Sequence, residues 1–207
     1  MSSEGLEVGE KGAIRARLLS EACRLFALKG FSATSIREIT QAVGVTNPMV
    51  YYYFGNKEDL FLAVLEEATE AVNAGVAAIS AQDKPFDEAL VALILLYFGL
   101  IKESPDVARL FLYLQYGHER LRFKDAFNDL HDKGKAMWRG LLLRGIERGE
   151  VSVADVDLAL LQIFGLIHMP MLLFLSGEPV SLDVKTARVL VKQLMDGVRP
   201  RPIGVEV

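Results

Sequence analysis

The stretch that decides the fold spans residues 31–61 and reads FSATSIREITQAVGVTNPMVYYYFGNKEDLF. Ser35 stands three residues before Glu38, which is the spacing of a capping box at the start of a helix. Apolar residues then follow at helical intervals until Gly44, a residue type that commonly ends a helix. This part of the stretch therefore predicts one short amphipathic helix that ends in a glycine turn.

A second short helix is predicted directly after the turn. Thr46 is a suitable N-cap, and Pro48 is tolerated in a first turn because the amide that it lacks would be unpaired there. A longer helix, from Lys11 to about Lys29, precedes both and is ended by Gly30. Two short helices around a glycine turn are typical of a helix-turn-helix, although an ordinary helical hairpin has the same pattern.

The remaining sequence predicts further helices and no strands, because apolar and polar residues do not alternate with a period of two. Proline and glycine separate the helices. They are expected at about residues 57–81, 86–103, 106–116, 119–149, 155–176 and 183–198. The prediction is an all-α protein with a disordered segment at residues 1–10, a three-helix domain at residues 11–56 and a larger helical domain at residues 57–207.

Charge is distributed unevenly along the chain of 207 residues. The formal net charge is -4, yet residues 11–57 carry +5 and residues 58–207 carry -6. A basic segment joined to an acidic one indicates that a polyanion contacts only the first part.

The expected location is a reducing cytoplasm. The single Cys23 cannot form an internal disulfide, and the N-terminus lacks the charged and then apolar pattern of an export signal. The apolar stretch at residues 158–175 reaches the length of a membrane span. Its Gln162, His168 and Pro170 favour a helix buried between other helices or between two subunits, so no membrane partner is expected.

The consecutive tyrosines Tyr51, Tyr52 and Tyr53 point in different directions on a helix and cannot share one role. At least one is expected to direct its hydroxyl outward, where a phenol suits a phosphate oxygen. The alternative is that all three cover the small N-terminal core. Lys57 adds a cation at the start of the next helix, where backbone amides already favour anions.

Residues 31–61 closely resemble the DNA-binding signature of the TetR family of bacterial transcriptional regulators. The shared elements are a threonine that opens the second helix, a Gly-Val-Thr turn, a tyrosine-rich end of the recognition helix and an Asn-Lys-Glu-x-Leu continuation. In this sequence they are Thr34, Gly44–Thr46, Tyr51–Phe54 and Asn56–Leu60. The resemblance covers about residues 11–65 and implies an N-terminal helix-turn-helix DNA-binding domain followed by a helical domain for effector binding and dimerisation.

The resemblance also implies roles for individual residues. Phosphate contacts are expected from Thr34 or Ser35, Arg37, Thr46, Tyr51 and Lys57. Major-groove contacts are expected from Asn47, Pro48, Met49 and Tyr52. Tyr53 departs from the family pattern, in which histidine is frequent. Asn47 is suited to reading adenine, and Pro48 or Met49 to touching a thymine methyl group, but an operator sequence does not follow from these side chains.

A homodimer on palindromic DNA is expected, because one copy contacts few phosphates. Its recognition helices would lie about 34–36 Å apart, or a multiple of that distance. The predicted seam, which the family resemblance also implies, uses the last two helices and the side chains Leu160, Leu161, Phe164, Leu172, Leu190 and Leu194. The alternative is that this apolar surface closes the core of a single subunit.

By resemblance, the second domain encloses a small-molecule effector, and effector binding moves the helix that begins near Lys57. Candidate lining residues are aromatic or polar side chains in apolar surroundings. They are Tyr97, Phe111, Tyr113, Tyr116, Trp138, Phe164, His168 and Met171. Such a lining predicts a largely apolar effector, and most of the eight residues are expected to be ordinary core.

An enzyme is not expected. The histidines lack metal-ligand spacing, and the sequence contains neither a glycine-rich phosphate loop nor a nucleophile with a recognisable base. No catalytic residue, metal site or cofactor is therefore predicted. The predicted function is a ligand-responsive regulator, a repressor released by its effector; the alternative is a TetR-like adaptor or lipid carrier that does not bind operator DNA.

Overall fold

The computed structural model describes residues 3–198, and the all-α prediction is confirmed over this range, which contains no strand. The helices are α1 (Ser3–Lys29), α2 (Ile36–Val43), α3 (Asn47–Phe54), α4 (Lys57–Ser80), α5 (Phe86–Glu103), α6 (Pro105–Tyr116), a 3-10 helix η1 (His118–Leu121), α7 (Lys124–Glu147), α8 (Val156–Leu175) and α9 (Val184–Val198).

The described chain divides into two compact units. The first contains the residues up to Glu70 together with Ser104–Leu130, and the second contains Ala71–Glu103 together with the residues from His131 onward. The sequence prediction divided the chain after residue 56 instead. Because α6 packs on α1, a segment that lies far along the sequence is part of the first unit.

α1 is longer than the sequence predicted. It ends at Lys29 as expected but begins at Ser3, so it includes most of the segment 1–10 for which we predicted disorder. That segment has glycines but no proline, so no missing amide interrupts the helical hydrogen bonds. Gly30 follows with a φ of 83°, a left-handed conformation that favours glycine, and a Cβ there would lie 2.6 Å from the Tyr113 hydroxyl oxygen, so a larger residue would also have to displace the Tyr113 ring.

Phenylalanine rings form the centre of the first unit. Phe26 of α1 and Phe61 of α4 are fully buried, with ring centroids 5.0 Å apart in an edge-to-face arrangement. Phe31 lies 5.1 Å from Phe61 and 4.9 Å from Phe123. Full burial of one such ring contributes roughly 1.5–3 kcal/mol relative to exposure. The cluster therefore joins α1, α4 and the segment before α7.

The predicted helix at residues 119–149 is interrupted. The 3-10 helix η1 ends at Leu121, α7 begins at Lys124, and Phe123 between them is 6% exposed. The interruption places Phe123 in the core of the first unit, where it packs on the Phe61 ring.

The core of the second unit is centred on α5, which packs against α8 and α9. Its buried side chains include Leu90, Leu93, Ile94, Phe98 and Ile101. α8 is, within residues 3–198, the helix that is long and apolar enough to cross a membrane by length and composition, and a third of its most apolar window is buried. Several of its other apolar side chains, among them Leu158, Leu161 and Met169, are exposed.

Candidate functional site

The predicted helix-turn-helix is formed by α2 and α3. The Ser35 hydroxyl accepts a hydrogen bond from the Glu38 backbone N–H at 3.2 Å, and the Glu38 carboxylate accepts one from the Ser35 N–H at 2.8 Å. Gly44 has a left-handed φ of 77°, and its N–H donates to the Thr40 carbonyl at 2.9 Å. Thr46 is the extended residue before α3, but its hydroxyl makes no capping hydrogen bond. The capping box and the glycine turn are therefore confirmed, and the side-chain cap at Thr46 is not made.

α3 is held in place by few of its own side chains. Val50 is 0% exposed and Phe54 is 8% exposed, so these two anchor the helix in the core. Tyr51 and Tyr52 are exposed by 54% and 69%, while Tyr53 is partly buried and packs on Phe54 with ring centroids 6.2 Å apart. The outer side of α3 therefore presents phenol groups to solvent.

Most cations of the basic segment are already engaged within the first unit. The engaged pairs are Arg15 with Glu67, Arg24 with Glu21, Lys29 with Glu38, and Arg17 with the Val43 carbonyl oxygen. Arg37 is exposed, and its guanidinium makes no ion pair or hydrogen bond with any residue in the described range. A positive net charge thus overstates the number of cations available to a polyanion, and Arg37 is one that remains available.

Lys57 is the second available cation. It begins α4, and its Nζ lies 4.3 Å from the centroid of the Phe31 ring. Partial burial, together with the nearby charge of Arg122, lowers the pKa of the Lys57 ammonium, although neighbouring glutamates act in the opposite direction. A phosphate bound at this position would relieve the repulsion between the two cations.

Arg122 joins this surface, although no sequence pattern predicted its position there. Its guanidinium lies 4.7 Å from the centroid of the Phe31 ring and forms an ion pair with Glu58. An open groove of about 390 Å³ is lined by Phe31, Ser32, Asn56, Lys57, Glu58 and Arg122. The ion pair between Arg122 and Glu58 joins residues 64 positions apart in sequence, so no local pattern could have predicted it.

Two of the predicted phosphate ligands have other roles in the structure. Thr34 is 1% exposed, and its hydroxyl donates to the Gly30 carbonyl oxygen at 2.8 Å, so this side chain closes the end of α1 and cannot contact a phosphate. Ser35 is exposed, but its hydroxyl is engaged with Glu38 both as donor and as acceptor. Of the alternatives Thr34 and Ser35, the prediction for Thr34 is therefore wrong, because its hydroxyl is buried against the Leu25 and Gly30 carbonyl oxygens at the end of α1.

The predicted base-reading residues lie together at the start of α3. Asn47 and Pro48 are exposed and Met49 is partly exposed. The Asn47 side chain is not free to rotate, because its Oδ1 accepts a hydrogen bond from the Thr40 hydroxyl at 2.7 Å.

A second candidate site lies among the aromatic residues of the second unit. Tyr97 and Trp138 have ring centroids 6.0 Å apart, Trp138 and Phe164 are 5.6 Å apart edge to face, and Phe164 and His168 are 6.3 Å apart and stacked. The structure thus connects four of the predicted lining residues from three helices. Met171 is also buried in this unit, at 5% exposure.

The polar atoms of this aromatic cluster are largely removed from water. Burial raises the pKa of the Tyr97 phenol, and hydrogen bonding with Trp138 partly offsets this increase. Burial lowers the pKa of the His168 imidazole. The Trp138 Nε1–H is buried, and the acceptor near it, the Tyr97 hydroxyl, does not meet it with good hydrogen-bond geometry. A ligand with an acceptor oxygen would satisfy this donor.

The other predicted lining residues do not belong to this cluster. Phe111 and Tyr113 lie in α6 and pack against the core of the first unit. The side chain of Tyr116 lies outside the described residues. Residue type alone could not distinguish these core aromatics from lining aromatics, because both occur in apolar helices. Among the described residues, no group of three or more His, Cys, Asp or Glu side chains could hold a metal ion.

Comparison with known proteins confirms the resemblance to the TetR family. The family described as "Bacterial regulatory proteins, tetR family" matches residues 18–64. The fatty acid metabolism regulator protein of Bacillus subtilis (strain 168) is 22% identical over 183 residues, which are 88% of this chain and 94% of that protein. The HTH-type transcriptional repressor KstR2 of Mycobacterium tuberculosis is 29% identical over 154 residues, which are 72% of this chain and 76% of that protein.

A solved structure agrees in fold over most of the chain. The crystal structure of the transcriptional regulator FadR from Bacillus subtilis in complex with stearoyl-CoA has a TM-score of 0.77 and 23% sequence identity. The alignment covers 89% of this chain and 99% of that chain. The similarity therefore includes the variable C-terminal part, where the family signature gives no information.

Proposed function

We propose that this chain, a member of the TetR family of bacterial transcriptional regulators, is a repressor that binds palindromic operator DNA as a dimer and is released by a largely apolar effector. The observation that carries the proposal is the outer side of α3. There, Tyr51 and Tyr52 are exposed, and the available cations Arg37 and Lys57 lie in the first turns of α2 and α4, the helices that precede and follow α3. Phenol hydroxyls and cations together suit the phosphate backbone on either side of a helix that is docked in the major groove.

The phosphate contacts are assigned to Arg37, Thr46, Tyr51 and Lys57, with Arg122 as an added candidate beside Lys57. Ser35 contributes through its position at the N-terminus of α2, where unpaired backbone N–H groups favour an anion. Thr34 is excluded from this set by its burial. The base-reading set remains Asn47, Pro48, Met49 and Tyr52, since these side chains are at least partly exposed on α3.

The dimer seam is assigned to a stripe of exposed apolar residues on α8. Leu158, Leu161, Met169 and Leu172 are exposed by 60%, 66%, 57% and 43%. They recur, with the exposed Gly165, at intervals of three or four residues and so share one face over about 20 Å of helix. Such a long apolar face on a monomer is a liability in water, and a second copy would cover it.

Only part of the predicted seam matches this stripe. Leu161 and Leu172 are exposed and fit it, whereas Leu160 is 7% exposed and belongs to the core of its own subunit. Phe164, Leu190 and Leu194 are intermediate in exposure. Burial of the stripe between two subunits explains the hydropathy of α8 without a membrane, and it fits a cytoplasmic protein.

The effector site is assigned to the cluster of Tyr97, Trp138, Phe164 and His168. Its lining is aromatic, and its one buried indole donor would give an apolar ligand a single polar anchor. The structurally similar FadR was crystallised with stearoyl-CoA, whose acyl chain is of this chemical class. An acyl chain with a carbonyl oxygen near its end is therefore the first effector class to test.

Coupling between effector and operator is assigned to α4. This helix begins at the phosphate-binding Lys57 and continues to Ser80 in the second unit. An effector that favours one spacing of the two recognition helices by 1–3 kcal/mol would weaken DNA binding about 5- to 150-fold.

The test is selection of bound duplexes from a random pool, followed by screening for release of the selected DNA by acyl compounds. Binding of an effector would be read from the emission of Trp138, since the chain contains one tryptophan. A palindromic consensus that is bound less tightly at higher salt supports the proposal. If no duplex is enriched at low ionic strength, while acyl compounds still alter the Trp138 emission, the carrier alternative is correct instead.

A further inference from the structure

We infer that Thr40 fixes the amide of Asn47 so that the recognition helix presents a hydrogen-bond donor, and not an acceptor, to one base edge of the operator. The inference rests on the proposed function. It makes Thr40 a positioning residue that determines sequence preference from inside the protein.

The geometry comes from a contact between α2 and α3. The hydroxyl of Thr40, which is 2% exposed, donates to Oδ1 of Asn47 at 2.7 Å. Asn47 is exposed and is the first residue of α3, so its amide lies at the surface that faces DNA. With Oδ1 turned toward Thr40, the Nδ2 group is the polar end that remains for a base.

The same hydroxyl has a second acceptor within reach. The Arg37 carbonyl oxygen lies 3.1 Å from Oγ1 of Thr40, but one hydroxyl carries only one proton. The contact with Asn47 is 0.4 Å shorter than this one and is the better hydrogen bond. Losing it would leave the amide free to turn over and present either end.

The chemistry of the base edges then gives a specific expectation. A bidentate contact with adenine requires Oδ1 and Nδ2 of an asparagine to face the base together, and here Oδ1 is directed toward the Thr40 hydroxyl. Guanine presents two acceptors, O6 and N7, in the major groove, whereas cytosine presents only its amino donor. Asn47 is therefore expected to favour guanine and to disfavour cytosine on the contacted strand, which differs from the adenine contact that residue type alone suggested.

The experiment is selection from a random duplex pool with the full-length wild type and three variants. Asn47→Ala identifies the operator position that Asn47 reads. Thr40→Ser keeps the hydroxyl and should reproduce the wild-type profile. Thr40→Val keeps the shape and removes the donor, and it should lower the guanine preference at that position roughly 5- to 10-fold or shift it toward adenine.

The other operator positions and the salt dependence of affinity should not change in Thr40→Val, because no phosphate contact is altered. A Thr40→Val profile identical to the wild type would overturn the inference, as would adenine or cytosine as the favoured base at the Asn47 position. Circular dichroism tests whether Thr40→Val folds. If it does not, the comparison of wild type with Asn47→Ala decides alone, through the identity of the favoured base. Failure of the wild type to enrich any sequence would overturn the proposed function itself.

Discussion

α3 and α8 both expose large apolar side chains to solvent, but they differ in what those side chains carry. On α3 the exposed groups are Tyr51 and Tyr52, phenols with a hydrogen-bonding tip, and the cations Arg37 and Lys57 lie in the first turns of the helices that precede and follow α3. On α8 the stripe from Leu158 to Leu172 is aliphatic and carries no such group. A phenol beside a cation suits a hydrated polyanion, whereas an aliphatic face suits only another apolar surface. The same degree of exposure therefore indicates two different partners.

The largest expected effect comes from placing charge on the aliphatic face. Leu161→Glu combined with Leu172→Glu should convert the dimer to a monomer, because two carboxylates per subunit cannot be buried unpaired. Loss of the paired recognition helices should weaken operator binding about 100-fold or more, since the second contact is no longer intramolecular. Sedimentation velocity measures the first effect and a gel-shift titration the second.

The matched control for that pair is Leu121→Glu. Leu121 is 84% exposed and lies in the first unit, away from α8 in sequence. The glutamate introduced there should therefore leave the oligomeric state unchanged in sedimentation velocity. A double variant that stays dimeric would show that the stripe is not the seam.

The next effect tests the cations beside α3. Lys57→Ala and Arg37→Ala should each weaken binding to all duplexes about tenfold, because each removes one charge-assisted contact with a phosphate. The slope of log affinity against log salt should fall by about 0.9 for each variant. Fluorescence anisotropy at several salt concentrations measures both quantities.

Arg24→Ala provides the comparison for these two variants. It removes a cation of the same basic segment whose guanidinium is paired with Glu21. An equal loss of affinity in Arg24→Ala would mean that net charge, and not the two available cations, governs binding.

A smaller effect separates two neighbouring tyrosines. Tyr51→Phe should weaken DNA binding about 5- to 10-fold, because it removes the hydroxyl that donates to a phosphate and keeps the ring. Tyr53→Phe should leave DNA binding unchanged and should not lower the free energy of unfolding, because the Tyr53 hydroxyl is buried with no hydrogen-bond partner in the described range. Equal losses of DNA affinity in both variants would contradict the assigned roles.

What could be predicted from the sequence was mostly local. The capping box of Ser35 and Glu38 and the turn at Gly44 are set by residues within four positions of each other, and both are present in the structure. The approach of Arg122 to Phe31 depends on segments that fold onto one another from far along the chain. The Thr34 hydroxyl bonds to carbonyl oxygens near the end of α1, an outcome that the residue type does not reveal. Periodicity identifies a helix but does not identify what covers it.

The second unit shows the same limit. Of the predicted lining residues, Tyr97, Trp138, Phe164 and His168 lie in one cluster, whereas Phe111 and Tyr113 pack against the core of the first unit. All of them are aromatic residues in apolar helices, so composition could not separate them. The separation arises because α6 packs on α1.

The smallest expected effect distinguishes the two units by their response to acid. Burial lowers the pKa of His168 in α8 below its ordinary value of 6.5, so the unfolded chain binds a proton more readily than the folded one. The free energy of unfolding should therefore fall as pH drops below about 6.5, by at most about 1.4 kcal/mol per pH unit from this group. His168→Gln should flatten the dependence in this window.

Glu38 at the start of α2 provides the contrast, because hydrogen bonds from Lys29 and Ser35 lower the pKa of its carboxyl from 4.5 to about 2. Its contribution is present above pH 4.5 and is lost only as pH falls toward 2, so Glu38→Gln should leave the window just below pH 6.5 unchanged. Urea unfolding at a series of pH values, read by circular dichroism, measures both variants. If His168→Gln and wild type lose stability equally between pH 6.5 and 5, the imidazole is not held neutral by the α8 surroundings, and the apolar cluster around it is more hydrated than the packing of its rings implies.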